Sequence, residues 1–281
     1  MLGAALAGLL LTACPCAFAL NPALDVSQYA HAAWKVGENL PQGAIQSIAQ
    51  TPDGYLWLGT EFGLLRFDGV RNLPWPPNLR LPSGPIRSLL AARDGTLWIG
   101  AAKGLASWKD GKLTRYPELA GHLILAVVED REGVIWAGGY SVPTGRLCAI
   151  RNGSARCYGE DGSLGEAVSS LNEDSKGNLW VGVTDGLWRW KPGPPKFYPL
   201  AGELHGLRGL AEGDDGGLLI AFRGAIIRLV DGKAEEKYTL PAGIRQLSVR
   251  KCRRTPRIKP HSYSRSTPGR GVRRTSMFGT A

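Results

Sequence analysis

The chain has 281 residues, 43% of them hydrophobic, enough for a full core as one large domain or two small ones, so disorder is excluded as the default for most of its length. Its formal net charge of +10 sits in one place: residues 248–281 hold ten Lys or Arg and no Asp or Glu, leaving 24 basic against 24 acidic residues elsewhere. That balance excludes a folded basic face for nucleic acid, while 38 glycines and 9 tryptophans point to many short strands joined by tight turns.

The first element, "MLGAALAGLLLTACPCAFALNPA", has an apolar stretch from Leu2 to about Thr12 and small residues ending at Ala19. It reads as a secretory signal, 1–19, cleaved after Ala19 and delivering a periplasmic protein. A competing reading takes Leu11 to Cys14 as a lipoprotein signal with Cys14 lipidated. No other run reaches the roughly 18 apolar residues of a spanning helix, so the mature chain is expected to have no transmembrane helix.

From Ile45 onward the chain repeats. "LWLGT", "LWIGA", "IWAGG" and "LWVGV" carry Trp57, Trp98, Trp136 and Trp180, and "LLIAF" is a degenerate fifth copy. Each unit opens on a turn glycine, Gly54, Gly95, Gly133, Gly177 and Gly216, at separations of 41, 38, 44 and 39 residues. An apolar residue precedes each by six positions (Ile48, Leu89, Val127, Leu171, Leu210) and another by nine (Ile45, Ile86, Ile124, Val168, Leu207). A period near 40 with short apolar runs and no helical spacing predicts an all-β β-propeller of four-stranded blades.

In the first unit the strands are placed at about 45–50, 55–60, 64–67 and 70–73. Asp53-Gly54 is expected as a two-residue hairpin turn with both residues at positive φ, as are Asp94-Gly95, Asp110-Gly111, Asp215-Gly216 and Asp231-Gly232. Each tryptophan is expected where neighbouring blade faces meet, burying on the order of 150–250 Å², worth roughly 4–6 kcal/mol of apolar transfer before entropy is counted.

A sixth unit begins at Ile244 and Leu247 and then stops: its turn glycine, tryptophan and second glycine would fall on Arg253, Pro256 and Ile258. Residues 248–281 lack the apolar content to order themselves. They read as a tail translated out of frame, or else as a basic tail for acidic partners. The expectation is five complete blades and an incomplete sixth within 20–247, a truncated part of a seven-bladed ring with two unpartnered blade faces.

The units "IQSIAQTPDGYLWLGTEFGLLRFDG", "IRSLLAARDGTLWIGAAKGLASWKDG" and "VSSLNEDSKGNLWVGVTDGLWRW", preceded by "YAHAAWKVGENLPQGAIQSIAQ", resemble two-component regulator propeller repeats over about residues 28–247. The resemblance implies the periplasmic sensor region of a sensor histidine kinase, in a parent receptor with a transmembrane helix and a cytoplasmic output domain, and dimeric there. Neither of those parts is expected in this chain. None of His31, His122, His205 and His261 lies in a phosphoacceptor helix or beside an ATP-binding glycine box, so the chain is expected to sense and not to catalyse, with no cofactor. The ligand is unknown; a glycan is an analogy with related sensors.

In a propeller the loops joining second to third strands and those joining successive blades share one face, and these positions vary between units. Phe62, Lys103, Tyr140, Asp185 and Arg223 are the ligand-binding candidates, set against plain solvent exposure at each. Tyr140 is expected in a loop running from Gly139 to Gly145. The run Glu212–Gly217 has the carboxylate density of a calcium loop but coincides with the repeating turn and lacks the ligand spacing, so no metal site is assigned. A propeller lyase or hydrolase would need a catalytic His, Tyr or carboxylate pair on one face; His122 and His205 lie near blade connections without a recognisable motif. A passive protein-interaction scaffold is the third option.

Asn152-Gly153 reads as a two-residue hairpin turn, which places Cys148 opposite Cys157 at a non-hydrogen-bonded site with a Cα separation of about 4.5 Å. A disulfide is expected in an exported protein, against two small buried thiols as the other reading.

Overall fold

The computed structural model describes residues 44–69, 71–76, 78–200, 207, 209–222, 225–230 and 233–239. The signal segment, Arg223, His31, His205, His261, Asp231-Gly232, the start of the sixth unit and the basic tail lie outside the described residues. Those that are described belong to one compact unit.

The fold is all-β, with 20 strands among the described residues in five antiparallel four-stranded sheets, each a meander in sequence order. The sheets are β1–β4 (Ile45–Gln50, Leu56–Thr60, Gly63–Phe67, Asn72–Pro74), β5–β8 (Ile86–Ala91, Leu97–Ala101, Gly104–Lys109, Lys112–Arg115), β9–β12 (Leu123–Glu129, Ile135–Ser141, Thr144–Arg151, Ser154–Tyr158), β13–β16 (Val168–Glu173, Leu179–Val183, Gly186–Lys191, Lys196–Pro199) and β17–β20 (Gly209–Glu212, Leu218–Phe222, Ala225–Val230, Lys233–Thr239). They are successive blades of a β-propeller, and the strands of the first fall within two residues of the positions that the repeat predicts.

Cores form between blades rather than within them. Trp57 and Leu64 pack on Ile86, Leu89, Leu97 and Ile99 of the next sheet. Trp98 and Leu105 pack on Ile124, Ile135 and Ile150, Trp136 and Leu147 on Val168, Leu179 and Val181, and Trp180 and Leu187 on Leu207, Leu210 and Ile220. All four indoles are buried. The first sheet has no described sheet before it, and there Ile48 is 56% exposed whereas its counterparts Leu89 and Leu210 are buried.

The glycine two residues after each tryptophan is what lets the sheets meet. A Cβ on Gly138 would fall 2.5 Å from Val168 Cγ1, and one on Gly182 2.8 Å from Leu207 Cδ2. Both partners stand nine residues before the turn glycine of the following unit, Val168 as the first residue of β13 and Leu207 two residues before β17.

At one end of the sheets a carboxylate crosses each of three junctions. Glu129, Glu173 and Glu212, last on their innermost strands, accept the backbone N–H of Arg93 (2.8 Å), Arg131 (2.8 Å) and Ser175 (2.9 Å) in the preceding blade. Between the third and fourth blades, buried Asp130 accepts from Trp136 Nε1 (2.7 Å), Val134 N (2.9 Å) and Lys191 Nζ (2.7 Å). Burial opposes ionisation of Asp130, but Lys191, the Trp136 indole and the Val134 amide outweigh it and hold the carboxyl below the usual range. For Lys191, burial disfavours the cation and is outweighed by Asp130, which lifts its pKa.

The turn geometry corrects one expectation. Asp110-Gly111 and Asn152-Gly153 do have both residues at positive φ (48° and 78°, 51° and 79°), but at Asp53-Gly54, Asp94-Gly95 and Asp215-Gly216 only the glycine does. In these first-to-second-strand turns Gly54 N–H donates to the Thr51 carbonyl (2.9 Å) and Thr51 N–H to the Tyr55 carbonyl (3.1 Å), a three-residue loop closed by a left-handed glycine. Pro52 suits the first corner of this turn, since proline fixes φ near −65°, but the same pair of bonds closes the turns at Ala92, Asp130, Asp174 and Gly213, which have no proline. Asp215 Oδ1 likewise accepts from Gly217 N (3.0 Å) while its Oδ2 pairs with Arg228 (2.5 Å), so the acidic run serves the turn.

Cys148 pairs with Cys157 across β11 and β12, and the two form a disulfide with a Cα separation of 4.0 Å. The loop it closes is short, so its removal by a Cys148→Ala, Cys157→Ala double substitution is expected to cost less than roughly 3 kcal/mol in urea unfolding. Gly138→Ala is expected to cost about 1–3 kcal/mol by overpacking against Val168. Asp130→Ala should cost about 1–3 kcal/mol, because it removes the acceptor of the Trp136 indole N–H and leaves Lys191 only its longer contacts with Glu132 (3.4 Å) and Glu173 (3.8 Å). The Asp130 contribution is present above the ordinary carboxylate value of 3.8 and is lost as pH falls through the lower folded value, so urea midpoints of wild type and Asp130→Ala should converge in acid. The Lys191 contribution is present below 10.5 and lost as pH rises through its raised value.

Candidate functional site

The turns between second and third strands lie at the same end of the sheets as the connections between blades. The two sets are tied by four backbone hydrogen bonds in three blades: Ala102 N to Pro85 O (3.0 Å), Gly121 N to Lys103 O (3.3 Å), Gly145 N to Gly165 O (2.7 Å) and Leu200 N to Asp185 O (3.4 Å). One rim therefore carries both sets, each braced by the other.

The predicted residues are distributed along this rim. Phe62, held where Phe62 N donates to Thr60 Oγ1 (3.1 Å), is 78% exposed, an aromatic ring standing in water. Lys103 and Asp185 are exposed in the equivalent turns of the second and fourth blades. No hydrogen bond, ion pair or ring contact joins Phe62, Lys103, Tyr140 and Asp185 to one another among the described residues; Arg223 lies outside them.

Tyr140 departs from its expected loop. The second and third strands of the third blade run on past the length seen in the other blades, so Tyr140 lies on β10, opposite Leu123 and Gly145 and half-buried, and only Val142-Pro143 forms the turn. The reason is the run of regular pairing down to Ser141 and Thr144, which Gly139 admits by letting the backbone of Leu123 and Ile124 approach closely.

Next to Leu123 stands His122, half-buried, its Nδ1 without a hydrogen-bond partner. Burial, and then the Arg146 guanidinium, push its pKa down, against a smaller opposing pull from Glu160. Arg146 is braced by Thr144 Oγ1 (2.7 Å) and the Gly159 carbonyl (2.6 Å). The structure thus brings His122 and Arg146 together, with the Lys103 turn bonded to the adjoining Gly121. Tyr140, paired with Leu123 and Gly145, points to the other face of the sheet from Arg146, which pairs with Gly139. An imidazole and a guanidinium in one corner can accept a proton and hold a negative group.

The sequence reading passed over a second set. The innermost strands of the first four blades each carry one extra residue near the rim: the register shifts between Ile45 and Ser47, between Ile86 and Ser88, and between Val168 and Ser170, and in the third blade Leu125 is the unpaired residue. Bulges re-aim a side chain, and here they present Gln46, Arg87, Leu125 and Ser169, all half-buried. Arg87 Nη1 donates to Gln46 Oε1 (3.3 Å) across the first junction. The signal was available as the first and more variable of the two letters between the apolar marks of each repeat, the second being small.

Among the described residues there is no group of three or more His, Cys, Asp or Glu placed to hold a metal ion, and no helix long and apolar enough to cross a membrane.

Residues 39–62, 80–103 and 162–185 match the family model of the two component regulator propeller. No curated protein matches the chain. Among solved structures it is similar to virginiamycin B lyase from Staphylococcus aureus (20% identity over 72% of this chain and 71% of that one, TM-score 0.60). It is also similar to the extracellular domain of BT4673 of B. thetaiotaomicron, described as a one component system (16% identity, 77% of this chain but 37% of that one, TM-score 0.50), and to the WD40 beta propeller domain of Doa1 (16% identity, 72% and 71%, TM-score 0.56). At these identities the likenesses establish the propeller fold and nothing finer.

The His122 corner is checked by NMR titration. Its midpoint is expected below the ordinary 6.5 and is expected to rise in Arg146→Ala, where the neighbouring positive charge is gone.

Proposed function

The chain carries two-component regulator propeller repeats, and on that premise we propose that it is the periplasmic ligand-sensing segment of a two-component sensor of the histidine-kinase type, exported by its N-terminal signal. Phosphoryl transfer belongs to other segments of the parent receptor. The observation that carries this reading is the contrast within the repeat: tryptophan and glycine positions hold through the first four blades, while the rim positions read Phe62, Lys103, Pro143 and Asp185 and the bulges Gln46, Arg87, Leu125 and Ser169. A scaffold needs the first set, and only recognition makes use of diversity in the second.

The test is a reconstituted full-length receptor carrying this segment. Tyr140→Ala with Arg223→Ala is expected to abolish the signalling response, and Arg87→Ala to weaken it, with the unfolding midpoint of each isolated segment moved by less than about 1 kcal/mol. An undiminished response from a correctly folded receptor would count against this rim.

One observation favours a second reading, a propeller lyase or hydrolase: burial and the neighbouring Arg146 hold the pKa of His122 down and favour its neutral imidazole, as a general base would need. Under that reading His122→Ala stops product formation while ligand is still bound. Under the sensing reading the same substitution shifts affinity and wild type forms no product.

A further inference from the structure

Three of the four second-strand tryptophans place the indole N–H on an acceptor six residues earlier in the chain. Trp57 donates to Thr51 Oγ1 (2.9 Å), Trp136 to Asp130 Oδ2 (2.7 Å) and Trp180 to Asp174 Oδ2 (2.8 Å). In the second blade that position is Ala92, which offers no acceptor. Trp98 stacks on Tyr116 with ring centroids 5.2 Å apart, its N–H has no partner among the described residues, and the nitrogen is not sealed in the core.

Where the longer side chain would have stood, a cavity of about 310 Å³ opens between the second and third sheets. It lies at the end of the sheets opposite the candidate rim, lined by Trp98, Tyr116 and Thr96 on the inside and by Asp94, Glu132 and Arg151 nearer the mouth. Its volume is at the lower end of small-molecule sites, about 300–1,000 Å³. The carboxylates around it are each matched by a cation: Asp94 by Lys109 (2.8 Å), Glu129 by Arg93 (3.0 Å) and Glu132 by Arg151 (3.3 Å). No surplus charge remains to neutralise an ionic ligand, and a further carboxylate would face three others. A hydroxyl meets both demands, since it accepts from the indole and donates to Asp94 or Glu132.

We propose that this cavity is a second binding site, for a small neutral polyol, one hydroxyl of which accepts from Trp98 Nε1 in the place that Asp130 and Asp174 occupy in their own blades. The site is independent of the sensing rim. The bland occupant is water alone.

The experiment is an NMR titration of the exported protein with myo-inositol as the probe, read at the Trp98 indole N–H resonance and assigned with Trp98→Phe. Acetate serves as the anionic control. The expected result is a saturable shift with myo-inositol, none with acetate, and at least tenfold weaker binding in Ala92→Thr and Ala92→Asp, which bring back the internal acceptor. If Ala92→Asp fails to fold, Ala92→Thr, which copies Thr51, decides alone. The proposal is overturned by the absence of a saturable shift, by a shift that survives in Ala92→Thr, or by acetate in place of the polyol.

Discussion

The junction between sheets is the constraint on which the rest of this molecule depends. A four-stranded antiparallel sheet has two faces and cannot bury both on its own. Here each sheet hides one face beneath its successor, and the closeness of that approach is decided by a glycine and a tryptophan two residues apart. The indole supplies area; the glycine removes the one atom that would hold the next innermost strand away. Val168 over Gly138 and Leu207 over Gly182 are the points of contact.

From that arrangement the polar chemistry follows. Sheets packed so closely bring the last residue of one innermost strand beside the turn of the previous blade, where a carboxylate can cap an amide N–H. Glu129, Glu173 and Glu212 do so in sequence. A buried carboxylate is tolerated at Asp130 only because an indole, a backbone amide and an ammonium surround it. The first junction has Ala91 in place of the glutamate, and the second has Ala92 in place of the aspartate; those two small residues mark where the polar scaffold is interrupted.

Function is assigned to what the junctions leave free. The ends of the sheets are outside the packing, so their residues vary without cost to the fold, and at the rim they are held in place by hydrogen bonds between turns and connections. Such a rim combines rigid backbone with variable side chains, the arrangement expected of a recognition surface. The opposite end, by contrast, is occupied by turns and inter-blade carboxylates, except beside Trp98.

The sequence by itself determined the repeat, the strand order, the burial of the tryptophans and the facing of Cys148 and Cys157, because each is a matter of period and register along a chain that alternates every two residues. It also located the turn residues Phe62, Lys103 and Asp185, which follow from register alone. Only the tertiary structure decided that Tyr140 belongs to a strand, since the length of β10 depends on how closely Leu123 approaches Gly139. Only it revealed the bulges at Gln46 and Arg87, the inter-blade carboxylates and the lone N–H of Trp98. The inter-blade carboxylates join residues about forty positions apart, across a junction that exists only once the sheets have packed, and the bulges and the lone N–H are departures from pairing that the period of the repeat does not record.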